Sequence, residues 1–105
     1  MQLIDQHISD LNKLCSLHHV EKMYLFGSAL NSSFNEQSDI DFLVKFKPIN
    51  LFTYFDNYIS LKEKLAFLLG REVDLVEEQT LKNPILIHSI NTSKSLIYGW
   101  AHSKI

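Results

Sequence analysis

The chain has 105 residues, 46% of them hydrophobic and 21% charged, with a net charge of −2. These values are ordinary for a soluble globular protein with one modest core, and the dispersed basic residues give no case for direct nucleic-acid binding. The single cysteine, Cys15, excludes an internal disulfide and suits a reducing cytosol; Met1-Gln2-Leu3-Ile4-Asp5 lacks the basic start and long apolar stretch of a signal peptide, and no apolar run is long enough to cross a membrane, so a cytoplasmic location is expected.

Residues 2–18 read as an amphipathic helix, because Ile4, Ile8, Leu11 and Cys15 recur at three- and four-residue steps. Lys22–Phe26 reads as a first strand, 29–33 as a helical turn or loop, and 34–38 as a polar connection. Ile40–Phe46 reads as a second strand that Pro48 stops, with Ile40, Phe42, Val44 and Phe46 on one face. Leu51–Leu69 is the longest predicted helix. Its expected stripe is Leu51, Phe55, Tyr58, Leu61, Leu65 and Leu68, and Gly70 suits its C-terminal cap. A third strand is expected over Glu72–Glu77, a short helix from Pro84 to about Asn91, and a final strand over Ser95–Tyr98. The order implies an α/β (α+β) layout: a small mixed sheet with helices packed on it, in one domain spanning residues 1–105.

Two motifs carry chemistry. The apolar run ending Leu25-Phe26 leads into Gly27-Ser28, and eleven residues after Ser28 stands Asp39-Ile40-Asp41 at the head of the second strand. Strand residues alternate faces, so Asp39 and Asp41 point the same way. At about 4 Å and an effective dielectric of about 20, two carboxylates repel by ~4 kcal/mol, a cost that solvation, protonation or a metal must offset. Hard oxygen ligands at this spacing suit Mg²⁺, which keeps part of its water shell and takes phosphates in its remaining positions. Asp74, in Glu72-Val73-Asp74-Leu75-Val76, joins the pair if its strand lies beside the second strand; three carboxylates could hold two metals. Gly27 has no Cβ, so a phosphate can approach the backbone, and Ser28 offers a hydroxyl and an N–H. Asp-x-Asp alone also fits a solvated strand face.

The strand–Gly27-Ser28 turn, the spacer, Ser38-Asp39-Ile40-Asp41-Phe42-Leu43-Val44 and Val73-Asp74-Leu75-Val76 resemble the nucleotidyltransferase superfamily of DNA polymerase beta. The nearest likeness is to its smallest members, the minimal nucleotidyltransferases that act as MntA-like antitoxins beside HEPN toxins. The stretch from Leu81-Lys82-Asn83-Pro84 to Ile97-Tyr98-Gly99 is similar to the family's ending, so the resemblance covers nearly the whole chain. It implies a polymerase-beta-like fold and a Mg²⁺-dependent, two-metal transfer of AMP from ATP to a protein hydroxyl, the tyrosine of a HEPN-type toxin. Asp39, Asp41 and Asp74 would be the catalytic metal ligands, with Gly27 and Ser28 binding the nucleotide. Many relatives carry an arginine directly after Gly-Ser, where this chain has Ala29-Leu30-Asn31-Ser32. That departure leaves open a second expectation, an antitoxin of weak activity that neutralises a helical toxin by contact alone.

The remaining candidates read as structural. His18-His19 end the first helix, where imidazolium complements the dipole, and His7, His88 and His102 show no ligand spacing with them. Cys15 lies on the apolar stripe as a buried thiol. Glu77 and Glu78 read as solvated loop residues, and Trp100 as a tail residue folded on the core or anchoring a partner.

Overall fold

The computed structural model describes residues 2–27 and 39–99. The expected turn and connection at 29–38, together with Ser28, Trp100 and His102, lie outside them. Two helices, α1 (Gln2–Gln6) and α2 (Ile8–Leu17), precede β1 (Val20–Phe26) and β2 (Ile40–Phe46). Then follow α3 (Leu51–Leu69), β3 (Val73–Glu77), a 3₁₀ turn (Glu78–Thr80), α4 (Pro84–Ser93) and β4 (Ser95–Tyr98).

The four strands form one mixed sheet in the order β3-β2-β1-β4. β1 pairs antiparallel with both β2 and β4, and β3 runs parallel to β2. A parallel neighbour needs a crossover, and α3 provides it. Between Val20 and Lys22 the β1–β2 register shifts. A one-residue bulge changes which face a side chain takes, and so Val20, Met23 and Leu25 can all be buried despite their uneven spacing. The main core lies on one face: Met23, Leu25, Ile40, Phe42, Val44, Val73 and Leu75 meet Ile4, Leu11 and Cys15 of α1 and α2 and Leu61, Leu65 and Leu69 of α3, while Leu43 and Ile90 are buried outside this cluster.

Local chemistry sets the helix ends. Asn50 caps α3 by accepting from Phe52 N–H at 2.8 Å, and Gly70 closes it in the left-handed conformation, φ 65°. Asn83 caps α4 ahead of Pro84, accepting from Ile85 N–H at 2.9 Å.

Three expectations are corrected. The first helix breaks at His7, whose N–H turns back to the Ile4 carbonyl at 3.1 Å and whose Nδ1 lies 3.0 Å from the Leu3 carbonyl; Ile8 is left exposed while Ile4, Leu11 and Cys15 are buried. In α3, Leu51 is 84% and Phe55 67% exposed. Phe55 stands ten residues before Leu65, which at about 100° per residue places it roughly 80° round the helix from the buried line. Leu51 belongs to the first turn, ahead of the buried layer. His18, at the C-terminal end of α2 as expected, is buried: Nδ1 is 2.7 Å from the Leu14 carbonyl, Nε2 is 3.0 Å from Ser60 Oγ, and Asn57 Nδ2 donates to the His18 carbonyl at 2.8 Å. Glu77 and Glu78 are half-buried, with Glu77 Oε1 capping the 3₁₀ turn through Gln79 N–H at 3.1 Å. The buried Glu78 Oε1 has no hydrogen-bond partner among the described residues.

Cys15 is fully buried with Sγ 3.8 Å from Met23 Sδ, and burial pushes its thiol pKa up to about 12. Among the described residues, no helix is long and apolar enough to cross a membrane.

Candidate active site

The end of the sheet where β1 finishes and β2 begins collects the acidic positions. Phe26 is the register partner of Asp41 on the antiparallel side, and Asp74 is its partner on the parallel side. Ile40, next to Asp39, donates its N–H to the Glu72 carbonyl at 3.0 Å, which ties the start of β2 to the segment entering β3. Adjacent strands lie about 4.8 Å apart, so Asp41 and Asp74 are neighbours on one face. That face is opposite the core, as the burial of Ile40 and Phe42 against Asp41, and of Val73 and Leu75 against Asp74, requires. Asp39 and Asp74 are exposed and Asp41 is half-buried.

Gly27 explains itself here. It leaves β1 at φ 76°, a left-handed conformation that costs a side-chain-bearing residue. A Cβ on it would come 2.3 Å from Asp41 Oδ2 and 3.1 Å from its Cγ. The missing side chain is thus the space the Asp41 carboxylate uses. Sequence reasoning assigned Gly27 to phosphate approach and did not see this second role, since it depends on the Phe26–Asp41 register.

Lys45 shares the face of Asp41 but stands four residues further along β2, about 13 Å away at strand rise. Its Nζ lies 3.5 Å from Glu21 Oε2, so its charge is spent at the other end of the sheet.

The donor set fits a divalent cation in kind: every candidate ligand is a carboxylate oxygen, and all belong to one end of adjacent strands. Among the described residues, no three His, Cys, Asp or Glu side chains are gathered closely enough to hold a metal ion. The backbone register sets Asp41 beside Asp74, with Asp39 two residues ahead of Asp41.

A small mixed sheet with α1, α2 and α3 packed on one face and acidic strand positions beside a glycine turn defines a small α/β domain. The chain belongs to the polymerase beta nucleotidyltransferase family, whose profile matches residues 9–102, and it is a nucleotidyltransferase. It is 41% identical over 66 residues to the protein adenylyltransferase MntA of Thermococcus cleftensis, covering 63% of this chain and 64% of that one. A solved structure provisionally described as a minimal nucleotidyltransferase superposes with a TM-score of 0.74 at 28% identity, over 90% of this chain and 92% of that chain. A solved complex of a tri-AMPylated Shewanella oneidensis HEPN toxin with an MNT antitoxin shares the fold, with a TM-score of 0.65 at 23% identity, over 99% of this chain and 77% of that one. The expected polymerase-beta-like fold is therefore the observed one.

Proposed function

We propose that this chain, as one domain over residues 1–105, is a cytoplasmic Mg²⁺-dependent protein adenylyltransferase. It moves AMP from ATP to a tyrosine hydroxyl of a HEPN-type toxin and so acts as its antitoxin. The observation that carries the reading is the register Phe26–Asp41–Asp74, with Gly27 cleared for the Asp41 carboxylate. The names of the similar proteins support it: one is a protein adenylyltransferase, and another structure pairs an AMPylated HEPN toxin with an MNT antitoxin.

Asp39, Asp41 and Asp74 are the residues that would hold the metal. Bound Mg²⁺ would neutralise phosphate charge and lower the cost of charge developing in transfer. The chain's own residues do the rest. Gly27 leaves the backbone open to the β- and γ-phosphates, and Ser28 adds a hydroxyl donor in the sequence-based reading. Asp74, on the outer strand, accepts the proton of the incoming tyrosine hydroxyl. The tyrosine oxygen bonds to the α-phosphorus, the bond from that phosphorus to the bridging oxygen breaks, and pyrophosphate leaves.

The test is incubation with labelled ATP, Mg²⁺ and the HEPN-type protein encoded beside this chain. A mass gain of one or more AMP groups on tyrosine is expected, and Asp41→Asn should lower labelling by at least about a hundredfold. The competing reading, neutralisation by contact alone, is favoured by Ala29 standing where many relatives have arginine. It wins if the toxin is silenced without a mass change and Asp41→Asn silences it equally well.

A further inference from the structure

Asp74 sits on an edge strand. β3 has β2 on one side and, among the described residues, no strand on the other. The hydrogen bond from Ile40 N–H to the Glu72 carbonyl fixes which way the β3 backbone points. By the two-residue period, the N–H and carbonyl groups of 72, 74 and 76 turn toward β2, and those of Val73, Leu75 and Glu77 turn outward. An edge strand whose outer groups hold nothing is the least restrained part of a sheet.

α3 supplies the restraint. The Tyr58 hydroxyl donates to the outward carbonyl of Leu75, the residue directly after Asp74. One turn earlier, burial and then the nearby Glu77 raise the pKa of Tyr54. The two rings stack at 6.5 Å and 26°, and Phe46, at the end of β2, meets Tyr54 edge-on at 5.6 Å. An aromatic row therefore runs from β2 through α3 to the free side of β3. Burial, and then the charge of Asp74, raise the Tyr58 pKa above a value that already leaves the hydroxyl protonated at neutral pH.

We propose that Tyr58 is a positioning residue for Asp74: by holding the Leu75 carbonyl it fixes the outer edge of β3, and with it the placement of Asp74 relative to Asp41. The inference rests on the nucleotidyl-transfer reading given above. Catalytic groups tolerate little displacement, because a misplacement of about 1 Å can cost about a hundredfold in rate.

Tyr58→Phe keeps the ring and its stacking and removes only the hydroxyl. Tyr54→Phe is the control, since it removes the neighbouring hydroxyl, which stands near Glu77, three residues beyond Asp74. In Tyr58→Phe, kcat for AMP transfer should fall by roughly tenfold to a hundredfold with the KM for ATP within about twofold, and Tyr54→Phe should keep kcat within about twofold. Native-state hydrogen exchange supplies a readout that needs no turnover: the amides of Asp74 and Val76, which face β2, should exchange several-fold faster in Tyr58→Phe. Unchanged kcat in Tyr58→Phe, or equal losses in both variants, overturns the proposal. If the unaltered protein transfers no AMP, the functional reading fails by itself. The exchange rates then decide alone whether Tyr58 holds Asp74, and unchanged rates overturn it.

Discussion

Gly27 shows how much one missing side chain can carry. Two separate costs meet any substitution there: the positive φ of 76° and the 2.3 Å approach of a Cβ to Asp41 Oδ2. They act on different properties. The backbone cost falls on stability, about 1–2 kcal/mol for alanine in the left-handed region. The steric cost is relieved by swinging the Asp41 carboxylate aside, which falls on the site. Gly27→Ala should therefore still unfold cooperatively, with a modestly lower Tm, while AMP transfer falls by roughly a hundredfold. Gly27→Asn separates the two effects, because asparagine tolerates the left-handed region. It should recover part of the lost stability and none of the activity. Recovery of both would mean that the space beside Asp41 is not what the glycine provides.

Among the elements, the joint between α2 and α3 is built on His18. Its two ring nitrogens and its carbonyl meet Leu14, Ser60 and Asn57, so one buried polar residue ties the end of α2 to the middle of α3. His18→Ala leaves the Ser60 hydroxyl without its ring partner, removes the ring contact to the Leu14 carbonyl while the backbone N–H bond to it stays, and opens a cavity. A loss of about 2–3 kcal/mol in urea unfolding is expected, with little change in transfer rate once the protein is folded. A loss below about 0.5 kcal/mol would mean that water replaces the ring freely. Nothing in the local sequence marks His18 apart from His19, because the partners that bury it lie some forty residues away in α3. The same distinction governs what was legible elsewhere. β2, α3 and β4 match their expected bounds because alternation, a terminal glycine and Pro48 are local signals. The expected stripe of α3 includes Leu51 and Phe55, which are exposed, since periodicity names an apolar face without saying how far the sheet extends beneath it. At the candidate site, Asp39 and Asp41 follow from spacing within one strand. That Asp74 stands opposite Asp41 follows from parallel pairing across a nineteen-residue helix, which sequence could state only as a condition. The clearance at Gly27 and the Tyr58 hydrogen bond are properties of tertiary register and leave no local trace.

At the scale of the whole molecule, the buried and half-buried acids that hold their protons set how folding responds to alkali. Burial raises the Cys15 pKa from its ordinary 9.0 to about 12, and burial followed by neighbouring acidic groups raises Tyr54 and Tyr58 above their ordinary 10.0. Below about pH 9 each of these groups is protonated in both the folded and unfolded chains, so none makes stability depend on pH. Between 9 and 12 the unfolded chain releases the Cys15 proton while the folded chain keeps it, so the free energy of unfolding falls as pH rises. The tyrosines add to the same trend above 10. Raised pKa values therefore contribute stability that is complete below the unfolded pKa and is lost through the folded one. Calorimetric melting across neutral to alkaline pH should show these groups lowering Tm from about pH 9 upward. Cys15→Ala should begin from a lower Tm, because it leaves a small cavity against Met23, yet its alkaline decline should start nearer pH 10, where only the tyrosines remain. In parallel, the native thiol should resist an aromatic disulfide reagent at pH 8 and react on unfolding, since the reagent needs an accessible thiolate. Rapid labelling of the native protein, or an alkaline decline that Cys15→Ala leaves unchanged, would show that Cys15 is not the buried, protonated group that joins α2 to the sheet.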